Sequence, residues 1–181
     1  ALSSACEQNN LAACAITDIA NLFSAVNSYK SLCGTGVKPI IGSELWIKDD
    51  AVDNIDRCVF LCMNGTGYNN LCQLISKGYL FSERNPLPIY KFEWLEEYSE
   101  GLIVLSGGIN SEIGQSILAG DSARSELAIK KYQNIYGNRF YLEVSRINQE
   151  GESIYIPIAG EYSEKYKIPL VATNNVMMIA K

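Results

Sequence analysis

The sequence contains no histidine, although it is 181 residues long. This absence excludes Ser-His-Asp and Cys-His catalytic arrangements, zinc sites that rely on imidazole, and histidine-based pH switches. Charged residues are also scarce, at 19%, and 20 acidic against 15 basic residues give a net charge of −5. That balance argues against a nucleic-acid-binding surface, because such surfaces are strongly basic.

Long apolar runs are missing as well. No uninterrupted apolar stretch reaches the ~18 residues that a membrane-spanning helix needs, so no membrane contact is predicted. The first residues, ALSSACE, lack the basic and apolar regions of a secretory signal. We therefore expect a cytoplasmic protein.

Six cysteines are present, but their spacing does not form a disulfide framework. Cys14 lies in the apolar segment AACAI, and Cys58 and Cys62 lie in RCVFLCM. We expect buried, reduced thiols in a cytosolic protein. A soft-metal pair of Cys58 and Cys62, which share a face of the predicted strand, is the less favoured alternative.

Apolar segments and helical patterns alternate along the chain. We predict six strands, at 11–17, 38–47, 57–63, 101–105, 139–144 and 168–173. Helices are predicted between them, at 22–33, 67–79, 92–98, 112–118, 122–136 and 153–166, with Pro157 near the first turn of the last one. Asn21 and Thr66 are the expected N-caps, and the first helix carries Leu22, Val26, Tyr29 and Cys33 on one apolar stripe.

Continuous apolar strands between helices predict parallel pairing, with helices on both faces of the sheet. A barrel and a doubly wound sheet both fit this pattern. In either fold, functional residues gather at the carboxyl ends of the strands. Those ends carry Asp18, Glu44, Met63, the segment Ser106–Gly108 and residues 174–177.

Five ordered blocks of the sequence resemble one known family. They are AITDIANLFSAVNSYKSLCGTGVKPIIGSEL, NGTGYNNLCQLISKGYL, EGLIVLSGG, NRFYLEVSR and IPLVATNNV. Together they resemble the PHP (polymerase and histidinol phosphatase) domain of bacterial DNA polymerase III alpha subunits. The resemblance implies an α/β fold, a distorted parallel barrel of the (β/α)7 type that is truncated at both ends. Residues 1–181 would then be a partial PHP domain without the family's first strand and C-terminal part, and without a second domain.

The resemblance also assigns positions to the family's metal site, a trinuclear cluster held by His, Asp and Glu. The corresponding positions in this sequence are Asp18, Ile19, Glu44, Arg57, Gly108, Asn175 and Met177. Ile19, Arg57 and Met177 stand where the family has histidine. Isoleucine and methionine are poor replacements for imidazole, and a cationic Arg57 repels a divalent ion. We therefore predict a vestigial site, with no metal, no cofactor and no catalytic residue in this chain.

Arg57 suggests a specific replacement for the lost cations. Two carboxylates at one barrel mouth repel each other and disfavour ionisation. We therefore hypothesise that the Arg57 guanidinium neutralises both Asp18 and Glu44. The alternative is that Asp18 caps the turn that follows it and that Arg57 is solvated.

The resemblance implies a parent protein that is a DNA-directed DNA polymerase, a magnesium-dependent nucleotidyltransferase of DNA replication. In that family, a PHP domain with a degenerate site braces the polymerase. It also contacts the proofreading 3′–5′ exonuclease (epsilon) subunit and other holoenzyme subunits. An active PHP-type metal-dependent phosphoesterase or exonuclease is the alternative. A DNA-contacting module is a third hypothesis, which the net charge of −5 disfavours.

Overall fold

The computed structural model describes residues 2–49, 55–81 and 87–174. Strands in these ranges are β1 (Ala13–Ile19), β2 (Lys38–Lys48), β3 (Ile55–Cys62), β4 (Ile89–Lys91), β5 (Leu102–Leu105), β6 (Phe140–Val144) and β7 (Leu170–Ala172). The α-helices are α1 (Leu2–Gln8), α2 (Ala25–Cys33), α3 (Gly65–Phe81), α4 (Trp94–Glu97), α5 (Glu112–Leu118), α6 (Ser122–Tyr136) and α7 (Glu152–Tyr166). The predicted α/β class is confirmed. None of these helices combines the length and the hydrophobicity needed to cross a bilayer.

The strands form one curled sheet in the order β1-β2-β3-β5-β6-β7, and β4 pairs with the second half of β2. Most neighbours are parallel, but β3 is antiparallel to both β2 and β5. The expectation of parallel pairing is therefore wrong for β3. Only the short segment 49–54 joins β2 to β3, and a parallel crossover needs a longer connection. Met63, directly after β3, consequently lies at the opposite end of the strands from Asp18, Glu44 and the segment Ser106–Gly108.

Helices cover one face of the sheet and form the main core against it. Leu45, Cys58 and Phe60 belong to this core and have no exposed surface. The opposite face, which we call the inner face, carries the alternate residues of the same strands. Strand register places on it Ile19, Glu44, Arg57, Val59, Tyr141 and Glu143, all of them half-buried.

The orientation of α2 differs from the prediction. The helix begins at Ala25 instead of following an Asn21 cap, and it buries Ala25 and Leu32. Val26 and Tyr29, two members of the predicted apolar stripe, are instead exposed by 59% and 52%. The prediction is wrong because α2 packs on β1 and α1 through its Leu32 side, which turns the stripe outward.

Smaller differences concern the ends and lengths of other helices and strands. Helix α3 begins at Gly65, because Asn64 rather than Thr66 accepts a hydrogen bond from the Gly67 amide, at 3.0 Å. Pro157 lies in the second turn of α7 rather than the first. Helix α1 and strand β4 have no counterpart among the predictions, because such short elements show too little periodicity.

Candidate functional site at the rim of the inner face

An ion pair on the inner face joins Glu44 of β2 to Arg57 of β3. The antiparallel register sets Glu44 opposite Val59 and Arg57 opposite Trp46, so the two charges are diagonal neighbours. Arg57 Nε and Nη2 donate to Glu44 Oε1 at 3.0 and 2.6 Å. The Trp46 indole donates to the same oxygen at 3.3 Å. The predicted contact between Arg57 and Glu44 is therefore confirmed.

Asp18 lies on the other side of its strand. Ile19, not Asp18, is the register partner of Glu44, so strand alternation directs Asp18 away from the inner face. Asp18 Oδ2 accepts hydrogen bonds from the Ser24 amide at 2.9 Å and from the Ser24 hydroxyl at 2.6 Å. The hypothesis that Arg57 also neutralises Asp18 is wrong. Asp18 instead stabilises the turn that leads into α2, as the alternative proposed.

The remaining predicted site positions divide into two groups. Ile19 is the register partner of Glu44 and places an apolar side chain beside it. Gly108 is buried just after β5 with a φ of +63°, and a β-carbon there would lie 3.7 Å from the Glu143 carbonyl oxygen. Asn175 and Met177 lie outside the described residues.

A further carboxylate at this rim, Glu143 of β6, is absent from the predicted set. Its Oε2 accepts a hydrogen bond from the Gly107 amide at 3.1 Å, and its Oε1 accepts one from the Thr173 hydroxyl. Burial raises the pKa of Glu143, the two hydrogen bonds lower it, and the charges of Glu44 and Arg57 act in opposite directions. Glu143 therefore shares the electrostatic environment of the ion pair.

Backbone contacts fix Glu143 in place. Its amide donates to Ser106 Oγ at 3.0 Å, and its carbonyl accepts from the Tyr155 hydroxyl at 2.7 Å. Gly107 has a φ of +78°, and a β-carbon there would meet the Arg57 carbonyl oxygen at 1.7 Å. Glycine is therefore required at position 107, where the chain after β5 passes close to β3 and the Gly107 amide donates to the Glu143 carboxylate.

The opposite face of β3 holds a buried polar cluster next to Arg57. Asp56 is 5% exposed, and its Oδ1 accepts from the main-chain amides of Glu112 at 2.7 Å and Arg57 at 3.0 Å. Its Oδ2 accepts from the Tyr132 hydroxyl at 2.8 Å and from the Cys58 thiol at 3.7 Å. Burial raises the pKa of Asp56 to about 6, although the hydrogen bonds from Glu112 and Tyr132 oppose that shift.

These residues do not fit the metal cluster that the family implies. Glu44 already accepts from a guanidinium, and both oxygens of Glu143 are held by Gly107 and Thr173. In the described ranges, no three Cys, Asp or Glu side chains converge as ligands of one ion. The set also lacks the neutral nitrogen donors with which proteins commonly bind zinc.

Comparison with known proteins places the chain in a family. Residues 1–147 match the family model described as the PHP domain, and the chain therefore belongs to the PHP domain family. It is similar to the DNA polymerase III subunit alpha of Pseudomonas fluorescens, with 39% identity over 168 residues, covering 92% of this chain and 14% of that protein. The same protein of Escherichia coli (strain K12) gives the same identity and coverage. The chain spans about 15% of the length of the curated relatives that it matches.

A solved structure supports the fold independently. A protein described as a metal-dependent phosphoesterase from Bifidobacterium adolescentis superimposes with a TM-score of 0.63. The match covers 94% of this chain and 79% of that one, at 9% sequence identity. At this identity the likeness establishes the fold alone, and it agrees with a curled, barrel-like sheet.

Proposed function

We propose that this chain is the PHP domain of a bacterial DNA polymerase III alpha subunit and that it acts as a scaffold rather than a catalyst. Identity of 36–39% to such subunits, over almost all of the chain, supports the assignment. The whole protein would be a cytoplasmic DNA-directed DNA polymerase. Its magnesium-dependent nucleotidyl transfer would be carried out by residues outside this chain.

The observation that carries the scaffold role is the ion pair of Arg57 and Glu44. Two guanidinium nitrogens donate to Oε1 of Glu44, so this carboxylate already has a cationic partner. A divalent ion about 4 Å from this guanidinium would be repelled by about 8 kcal/mol at an effective dielectric constant of ~20. Solvent reduces that figure, because the Arg57 side chain is 38% exposed.

Metal binding and turnover test this role directly. The intact polypeptide is equilibrated with Zn²⁺ and Mn²⁺, desalted, and analysed for bound metal and for hydrolysis of bis(p-nitrophenyl) phosphate. We expect well under one metal ion per chain and no hydrolysis above the buffer rate. Stoichiometric metal together with hydrolysis that Glu44→Gln abolishes would instead establish the active phosphoesterase.

For the exonuclease contact, we propose an apolar stripe formed by Phe23, just before α2, and by Val26 and Tyr29 on the outward side of α2. Phe23 is 86% exposed, and adjacent exposed apolar residues commonly mark interaction surfaces. Leu80 and Phe81 are also exposed, but they directly precede residues 82–86, which the structure does not describe. The proposed partner is the 3′–5′ exonuclease subunit, in line with the resemblance to DNA polymerase III alpha subunits.

Capture by the cognate exonuclease subunit tests this surface. We expect the double variant Phe23→Ser/Tyr29→Ser to bind at least tenfold more weakly than the wild type. Leu127→Ser, at an exposed apolar position of α6, is the matched control and should bind normally. Equal binding of all three proteins would show that the contact lies elsewhere. Failure of the wild type to bind would leave only the bracing role.

A further inference from the structure

Two cysteines lie together in a small core that is separate from the main one. Cys6 of α1 packs there with Ile16, Leu32 and Val37, and Cys14 of β1 borders the same cluster. Because Cys14 and Ile16 are two residues apart on one strand, both face the side that α1 and α2 cover. Cys6 is 2% exposed, whereas Cys14 is only partly buried. One thiol is thus shielded, and its neighbour is accessible to solvent.

Local hydrogen bonds hold α1 in the position that brings the thiols together. The Leu11 amide donates to the Cys6 carbonyl at 2.9 Å, which turns the chain from α1 toward β1. The Ser31 hydroxyl of α2 donates to the Ser3 hydroxyl of α1 at 2.7 Å. In this arrangement Cys14 packs against the cluster that contains Cys6, whereas Cys33 on α2 is exposed.

We propose that Cys6 and Cys14 form an oxidation site, at which a hydroperoxide converts the two thiols into a disulfide that joins α1 to β1. The Cys14 thiolate attacks a peroxide oxygen, the O–O bond breaks, and a sulfenic acid forms while the departing hydroxide takes up a proton as water. The Cys6 sulfur then attacks the sulfenic sulfur. An S–S bond forms, the S–O bond breaks, and a second water leaves with the Cys6 proton. Two thiols are oxidised, and one hydrogen peroxide is reduced to two waters.

The surroundings of the pair set its rate of oxidation. Burial, followed by contact with Cys6, raises the pKa of Cys14 to about 11. Because the thiolate is the nucleophile, little reactive Cys14 exists at neutral pH. We expect disulfide formation to accelerate by about tenfold for each pH unit between about pH 7 and 9. The site therefore responds to sustained rather than brief exposure to peroxide.

Peptide mapping of the intact polypeptide tests the proposal. The reduced protein is treated with hydrogen peroxide, blocked with N-ethylmaleimide, and digested with endoproteinase Glu-C and trypsin, which cut after Glu7 and after Lys30. Cys6 and Cys14 then lie on two different peptides, and Cys33 lies on a third. We expect the two peptides to remain joined until dithiothreitol is added. We also expect the oxidised protein to melt several degrees higher than the reduced one, because the crosslink restricts the unfolded chain.

Two variants control the experiment. Cys14→Ser should abolish both the joined peptides and the rise in Tm, whereas Cys33→Ser, at the exposed cysteine of α2, should change neither. The proposal is overturned when the wild-type peptides that carry Cys6 and Cys14 separate without reduction, or when the peptide with Cys6 is joined to one with another cysteine. The wild-type map decides between these outcomes even where a variant folds poorly.

Discussion

Arg57 and Asp56 are adjacent on β3, yet they lie on opposite faces of the sheet. Arg57 pairs with the carboxylate of Glu44 on one face, and Asp56 is itself a buried carboxylate on the other. On the inner face, the Arg57 side chain is 38% exposed and offsets the charge of Glu44 through a direct ion pair. On the helix-covered face, Asp56 is 5% exposed and is held by two main-chain amides, a phenol and a thiol. A cation on β3 thus stabilises the partly exposed carboxylate of Glu44, whereas neutral donors stabilise the buried carboxylate of Asp56.

The two environments differ in what they contribute to stability. A partly exposed ion pair is worth at most about 1 kcal/mol, because water screens it and two side chains must be ordered. A buried carboxylate with several donors is worth more, since removing it leaves each donor unsatisfied. The comparison therefore assigns the stability of β3 to its helix-covered face. The inner face, in our proposal, excludes metal.

The largest expected effect comes from removing the buried carboxylate. Asp56→Ala leaves the amides of Glu112 and Arg57 and the Tyr132 hydroxyl without their acceptor. We expect the free energy of unfolding to fall by about 3–4 kcal/mol in urea denaturation. The control, Asp121→Ala, removes the exposed N-cap of α6 and should cost about 1 kcal/mol. Equal losses in the two variants would contradict the comparison.

The second-largest expected effect is a pH dependence of stability that arises from Asp56 on the helix-covered face. Because the pKa of Asp56 is raised from 3.8 to about 6, the folded state disfavours the ionised form. The free energy of unfolding is therefore not reduced by Asp56 below pH ~4, where this residue is protonated in both the folded and the unfolded state. It falls by at most about 3 kcal/mol as the pH rises through ~6. Asp56→Asn keeps the oxygen that accepts from Glu112 and Arg57 but cannot ionise. Relative to this variant, the wild type should lose stability between pH 4 and 7, and parallel profiles would disprove the assignment.

Two tyrosines of α6 sharpen the comparison further. Tyr132 and Tyr136 are each 2% exposed, but only the Tyr132 hydroxyl has partners in the described structure, namely Asp56 and Cys58. Tyr132→Phe should cost about 1–2 kcal/mol, because the carboxylate loses a donor. Tyr136→Phe should be neutral or stabilising, because its hydroxyl is buried without a partner. Comparable losses in both variants, measured by thermal denaturation, would show that the hydrogen bond from Tyr132 to Asp56 contributes no more than the unpartnered hydroxyl of Tyr136.

Local sequence patterns predicted much of this arrangement but not all of it. Helices α5 and α6 match the predicted ranges 112–118 and 122–136, because each has an acceptor side chain at its start and an apolar repeat. The direction of β3 was predicted wrongly, because an apolar run such as RCVFLCM is typical of parallel strands but also suits an antiparallel strand that lies between two others. The only signal was the short connection 49–54.

The site was predicted only where single positions could be matched to the family. Glu44 and Arg57 were selected in that way, and the structure brings them into contact. Glu143 was not, because its partners Gly107 and Thr173 lie 36 and 30 residues away, and no local pattern records such contacts. The available signal was the acidic residue between the apolar residues of FYLEV. Charged residues are rare in strand interiors, so an acidic residue there indicates a specific partner or a functional role.

The smallest effect concerns the ion pair itself and is best measured as a coupling. Arg57→Met leaves Glu44 near Glu143 without the guanidinium, whereas Glu44→Gln leaves Arg57 without its acceptor. A double-mutant cycle in urea should give a coupling energy of about 0.5–1 kcal/mol. The coupling should shrink between about 0.1 and 1 M salt, because the pair is partly exposed.

This coupling also separates the two roles of β3. A value as large as the loss in Asp56→Ala would mean that the inner face, rather than the helix-covered face, holds the strand in place. A value of zero would mean that Arg57 and Glu44 touch without stabilising the fold. In that case the pair would retain only the proposed role of occupying the metal position, because electrostatic exclusion of an ion requires the cation but not a net gain in stability.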